Sequence, residues 1–266
     1  MIMRKQNEME ETSMAIENGE WYMKGLSWDN PMRIRTWEEL VNWVDEVGFL
    51  PLFANEIEGF SAEEHVSPDF WWTGIEDQDP WAWREIIARS CRAAYGKFFA
   101  GKAGFISLRW LPFFANYRRE GYDFDSRWED GKASRREKNI MDLLTDRDGD
   151  GDVTWTRKEL LSTEIKKKAG FGKGGEKNFP GMMTGLQMQT YLVITDFRRR
   201  RNKKGDEYGM AVSIPNTPEA VWGYDLVSSA YTEAPEESWR RICSRVKEVF
   251  PGAAEGDIIR LIGKKP

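Results

Sequence analysis

Apolar and polar positions divide the chain into helix-like, strand-like and broken segments. Thr36-Trp37-Glu38-Glu39 has the form of a capping box. Trp37, Leu40, Val41, Val44 and Val47 follow at helical spacing as far as Gly48, a natural terminator. Asp79-Pro80 reads as a cap with proline at the first helical position. The stripe Trp83, Ile86, Ile87, Ser90 and Ala94 predicts that this helix continues toward Phe98. Gly101 and Gly104 then break the chain before an apolar run, Phe105 to Leu108, and Trp110 to Tyr117 reads as an aromatic helix interrupted early by Pro112. The acidic, turn-rich stretch Gly121 to Gly131 marks a domain boundary.

The middle third has a more defined order. Ser134 to Thr145 predicts a helix with Ile140, Leu143 and Leu144 inward, and Asp146 to Asp152 a tight acidic turn. Val153-Thr154-Trp155 suits a short strand, Thr156 caps a second helix to about Lys168, and Pro180 to Thr190 forms a third with Met183 and Leu186 inward. Tyr191 to Arg200 and Glu207 to Ile214 read as strands joined by a turn at Asn202 to Asp206. Helix, short strand, two helices and a hairpin is the winged-helix order. Beyond Pro215 the pattern is helical again, with Trp239, Ile242, Val246 and Val249 in step and Ile258 to Ile262 closing the chain. The expected fold is α+β, mainly α. An aromatic-rich helical region (1–130) precedes a winged-helix core (131–215), and a helical region (216–266) follows it.

Composition adjusts this picture. Of 266 residues 40% are hydrophobic and 13% aromatic, enough for a packed core. No apolar run approaches the ~18 residues of a membrane span. Met1 to Glu20 lacks an apolar stretch, so it reads as a frayed arm or short helix and not as a signal peptide. The two cysteines, Cys91 and Cys243, have no metal-like spacing, which points to a reduced, cytoplasmic protein. The single histidine, His65, follows Ser61-Ala62-Glu63-Glu64, a capping box, and reads as structural. Net charge is −5, but Lys132 to Lys204 holds 18 Lys and Arg against 10 Asp and Glu, leaving 21 against 34 elsewhere. A basic middle between acidic ends suggests one anion-binding face.

The chemistry concentrates there. Arg198, Arg199, Arg200, Arg201, Lys203 and Lys204 crowd the tip of the expected hairpin, where they can neutralise phosphates; a solvated charge run is the plainer reading. Lys173 and Lys177 precede the third helix, on which Thr184 and Gln187 could approach base edges. Asp146, Asp148, Asp150 and Asp152 with Gly151 and Val153 match most of an EF-hand loop, but Arg157 stands where its bidentate glutamate belongs; calcium site and acidic turn both remain open. Gly170 to Gly175 lacks a Gly-Lys-Ser/Thr ending, so no nucleotide cofactor is expected. Trp71, Trp72, Trp81, Trp83 and Trp110 could stack on bases or fill a core. Glu85 and Asp69 are carboxylates near them that could position a water.

Gly25-Leu26-Ser27-Trp28-Asp29-Asn30-Pro31, Trp81 to Arg89 and Gly172 to Phe179 resemble the AlkZ-related proteins, distant relatives of the AlkZ/YcaQ winged-helix DNA glycosylases. The resemblance runs from about Trp21 to Ile262. It implies winged-helix units, double-stranded DNA as partner, and excision of alkylated or crosslinked purines through a Gln-x-Gln or Gln-x-Asp motif. Gln187-Met188-Gln189 matches that motif and would make Gln187 and Gln189 the catalytic pair. In the glycosylases the motif lies on a hairpin nearer the N-terminus. On a helix two such residues project about 200° apart, and on a strand they share a face. The functional expectation is a DNA-binding winged-helix protein of repair type. The alternatives are a non-enzymatic winged-helix regulator or interaction module, and a calcium-responsive one.

Overall fold

The computed structural model describes residues 15–17 and 20–266. Most of the stretch read as an arm or short helix, Met1 to Glu20, lies outside the described residues. Within it Ala15–Glu17 (β1) pairs antiparallel with Glu20–Tyr22 (β2). Local signals set most element ends. Helix α1, Trp37–Val47, begins where the Thr36 hydroxyl accepts from the Glu39 amide, and ends at Gly48, whose φ of 101° few other residues adopt. A Cβ at Gly48 would lie 2.5 Å from Trp110 Nε1, so the position is closed sterically as well. Asp79 caps α2, Pro80–Ser90. That helix stops at Cys91 in left-handed conformation.

The helix expected to run on toward Phe98 is instead strand β4, Ala93–Phe99. It pairs antiparallel with β5, Lys102–Ser107, which also pairs with β3, Phe49–Pro51. Nearly every residue of β4 is buried, so its apolar run carries no alternation to mark it as a strand. Helices α3, Leu111–Arg119, and α4, Phe124–Glu129, lead into α5, Arg135–Met141, which carries the Ser134/Glu137 capping box. Asp146–Arg147 (β6) and Val153–Thr154 (β7) close a small hairpin. The helix expected from Thr156 is shortened to α6, Ser162–Lys168, because the Thr156 hydroxyl donates to Asp146 and the chain stays extended. Next come α7, Phe179–Met188, and strands β8, Val193–Arg201, and β9, Glu207–Asn216. The chain ends in α8 (Pro218–Trp222), α9 (Tyr224–Val227), α10 (Pro235–Val249) and α11 (Glu255–Ile262).

The class is α+β, with about 40% helix and 17% strand. Strands β3-β5-β4-β8-β9 form one five-stranded sheet, and β8 joins it through Tyr95 opposite Ile194. The base of the basic hairpin is thus continuous with strands from the first half of the chain. Two apolar clusters flank this arrangement. One gathers Leu40, Val44, Phe49, Phe98, Phe105, Phe114, Val193, Ile242 and Ile258, and the other Ile140, Leu144, Ile165, Phe179, Leu186 and Tyr191. Burial of each such side chain contributes about 1.5–3 kcal/mol. Arg119 joins helix α3 to the segments on either side of the hairpin. Its guanidinium, 1% exposed, meets Glu219 at 2.5 Å, Thr190 O at 2.7 Å and the Tyr231 hydroxyl at 3.2 Å. Among the described residues no helix is long and apolar enough to cross a membrane.

Candidate nucleic-acid interface

Strands β8 and β9 leave the sheet as a projecting hairpin, and residues 198–210 are all exposed. The turn is built locally. Asn202 Oδ1 accepts from the Lys204 amide at 2.8 Å and the Asp206 amide at 3.0 Å, and Gly205 takes φ 91°. The six cations of the hairpin differ in availability. Arg198 is pinned by Asp196, 2.9 Å away, and by Glu159. Those hydrogen bonds raise its pKa further, the Asp196 bond most. Arg201 faces Glu207 at 3.4 Å. Arg199, Arg200, Lys203 and Lys204 have no acidic partner among the described residues; Arg200 rests over the Tyr208 ring, 5.0 Å from its centre. Four free cations on a projecting arm suit a polyanion. Asp196, Glu159 and Tyr208 were not singled out by the sequence reading. The cross-strand register, Arg200 opposite Tyr208 and Arg201 opposite Glu207, is the signal that could have found Tyr208 and Glu207.

The helix expected to read bases is differently placed. Gln187 is 5% exposed, and its carboxamide is spent inside the protein: the oxygen accepts from the Lys97 amide at 3.1 Å and the nitrogen donates to Met183 O at 2.9 Å. Thr184 faces the β4–β5 turn, where a Cβ at Gly101 would lie 3.5 Å from its methyl group. Gln189 Nε2 donates back to Gly185 O at 3.2 Å, within its own helix. Gln187 and Gln189 therefore do not converge on a common point; their helical separation sends one against β4 and the other back along α7. Lys173 and Lys177 lie on the exposed loop leading into α7, away from these amides in sequence and free of acidic partners among the described residues.

The acidic loop is not gathered into a cation site, since among the described residues no cluster of three or more suitable side chains exists. Asp146 is occupied by Lys158 Nζ at 2.6 Å and by Thr156, contacts that lower its pKa. Asp148 Oδ1 accepts the Asp150 and Asp152 amides, both at 3.0 Å, which closes the turn from within. As built, the loop that carries Asp146, Asp148, Asp150 and Asp152 is a self-capped hairpin turn.

Other candidates resolve into structural tasks. Trp71 and Trp83 are buried, and Trp72, Trp81 and Trp110 pack against the main core. His65 Nε2 meets Gly59 O at 2.8 Å. Glu85 pairs with Arg84 at 3.1 Å, and burial raises its pKa; Asp69 is exposed on a single 3-10 turn. A second feature was invisible in the sequence: a cleft of about 260 Å³ whose walls include Asp123, Trp155, Tyr191, Glu219 and Tyr224. Trp155 and Tyr224 stack with ring centres 5.2 Å apart, and the Tyr224 hydroxyl donates to Asp123 at 2.9 Å. Burial and that carboxylate push the Tyr224 pKa up to about 12.

The family whose model matches this chain is described as AlkZ related, and the match covers residues 34–263. No curated protein and no solved structure matches it significantly.

Proposed function

This chain belongs to the AlkZ-related family, and from that premise we propose that it binds double-stranded DNA through the β8–β9 hairpin, as the wing of a winged-helix unit formed by residues 131–215. The observation that carries the reading is the set of four unpaired cations, Arg199, Arg200, Lys203 and Lys204, on an arm whose surroundings are solvent. Each cation that replaces a counterion at a phosphate makes binding salt-dependent and insensitive to sequence. The family's relation to the AlkZ/YcaQ glycosylases makes alkylated or crosslinked bases the substrate class. Excision would need a group that positions water at the glycosidic carbon. The cleft beside Tyr224 supplies Asp123 for that purpose, since Glu219 in the same wall is held by Arg119.

A second reading, DNA binding without excision, draws its support from Gln187, whose carboxamide is spent at both ends on internal contacts. Fluorescence anisotropy with labelled duplex tests the binding: wild type binds at low salt, and the variant with Arg199, Arg200, Lys203 and Lys204 changed to alanine loses most of its affinity. No binding by wild type at low salt overturns the proposal. An abasic-site assay on alkylated duplex then separates the two readings, since only the first releases a base.

A further inference from the structure

Away from the hairpin, Trp28, Asp29, Arg33, Arg35, Phe70 and Gln78 line a cleft of about 330 Å³. Arg33 is 8% exposed, yet no carboxylate pairs with it among the described residues. Its Nε donates to Trp28 O at 3.2 Å, and its guanidinium carbon lies 4.9 Å from the centre of the Trp28 ring and 5.3 Å from that of Phe70. The rings cover the faces of the cation. The terminal amino groups have no acceptor among the described residues. Arg35 is aimed by carbonyls, donating to Arg33 O at 3.0 Å and Asn30 O at 3.2 Å. Glu39 accepts from the Arg35 backbone amide at 2.6 Å and forms no ion pair with either guanidinium among the described residues. Asp29 takes the Ser27 hydroxyl at 2.8 Å and pairs with neither arginine. Burial first, and then the neighbouring Arg35, lower the Arg33 pKa, and Glu39 opposes them.

We propose that this cleft holds one unpaired nucleotide of a DNA strand, with the phosphodiester on Arg33 and Arg35 and the base against the ring of Trp28. The assignment rests on the reading of this protein as a DNA binder and adds a second point of contact to it. Asp29 and Glu39 both lie close to the two arginines, which favours a singly charged diester over a doubly charged terminal phosphate. Planar guanidinium groups suit phosphate oxygens. Trp28 is 58% exposed, so its ring has a face open for a base to stack on. Gln78 brings an amide that can meet a base edge.

The test compares a blunt labelled duplex with the same duplex carrying a short single-stranded tail. The tail raises wild-type affinity about tenfold, within the range of one base stacked on an aromatic side chain. Trp28→Ala and Arg33→Lys each lose the gain from the tail and keep the affinity for blunt duplex, while the quadruple hairpin variant shows the reverse. Far-UV circular dichroism and melting confirm folding. Should Arg33→Lys unfold, Trp28→Ala and Gln78→Ala decide, since neither removes a buried charge. A tail that adds nothing, or adds the same in the cleft variants, overturns the proposal. Displacement of the tail by deoxyadenosine monophosphate more readily than by a dinucleotide overturns the strand assignment. Failure of blunt duplex to bind sinks the hairpin reading alone, because a free single strand still reports on the cleft.

Discussion

Replacing Glu219 by leucine tests how far the buried Arg119 network holds this fold together. Arg119 lies at the end of α3, 1% exposed, and contacts Glu219, Tyr231 and the Thr190 carbonyl. Its guanidinium also lies 4.6 Å from the centre of the Tyr191 ring. Burial by itself lowers the Arg119 pKa, but Glu219, Tyr231 and Tyr191 outweigh it and hold the cation firmly charged. Glu219→Leu therefore leaves a buried charge without its counter-ion, at a cost of about 3–5 kcal/mol. For a chain near this length each kcal/mol lowers Tm by about 2–4 °C, so the loss is roughly 6–20 °C. Arg119→Met alone costs a similar amount, because Glu219 is then stranded at 8% exposure. The double variant removes both charges, and the remaining deficit of about 1–3 kcal/mol is the donor lost to Thr190 O. Urea denaturation of the four proteins completes the cycle. If the double variant were destabilised by the sum of the two singles, Arg119 and Glu219 would not be coupled and the argument would fail.

Three further outcomes follow from individual residues. On duplex DNA, single alanine changes at Arg199, Arg200, Lys203 or Lys204 each reduce the salt slope by up to about 0.9, while Arg198→Ala and Arg201→Ala change it less because acids already hold those side chains; equal slopes for all six would contradict this ranking. Glu63 is fully buried and accepts the Lys24 amide at 2.8 Å and the Ala54 amide at 2.9 Å; burial raises its pKa to about 6. A carboxyl with a raised folded pKa contributes stability below its unfolded value, near 4.5, and loses about 2 kcal/mol as pH climbs past about 6. Urea midpoints between these limits should fall with rising pH in wild type and fall less in Glu63→Gln. Calcium and chelator should both leave Tm unchanged, since Lys158 and backbone amides occupy the acidic loop; a calcium-dependent rise removed by Asp148→Asn would reverse that assignment.

Local chemistry was legible wherever a feature is decided within a few residues. Thr36, Asp79 and Ser134 cap helices because their side chains meet amides two or three positions on, and Gly48 ends a helix because its backbone must turn left-handed. The Asn202 turn and its flanking strands follow from the same short-range rules. A run of cations beside that turn could be read without knowing what lies around it. Tertiary structure alone decided which of those cations are free. Glu159 reaches Arg198 across 39 residues of chain, and its own neighbours give no hint of it. The backbone amide of Lys97, 90 residues away, takes the Gln187 carboxamide. Strand β4 looked helical because a strand buried on both faces has no alternation to display. The cleft around Arg33 exists only where Phe70 and Gln78 fold back on Trp28. Caps and turns are settled by bonds between near neighbours, so sequence encodes them directly. Charge balance and exposure are sums over everything that approaches a side chain in space, and only the assembled fold supplies that sum.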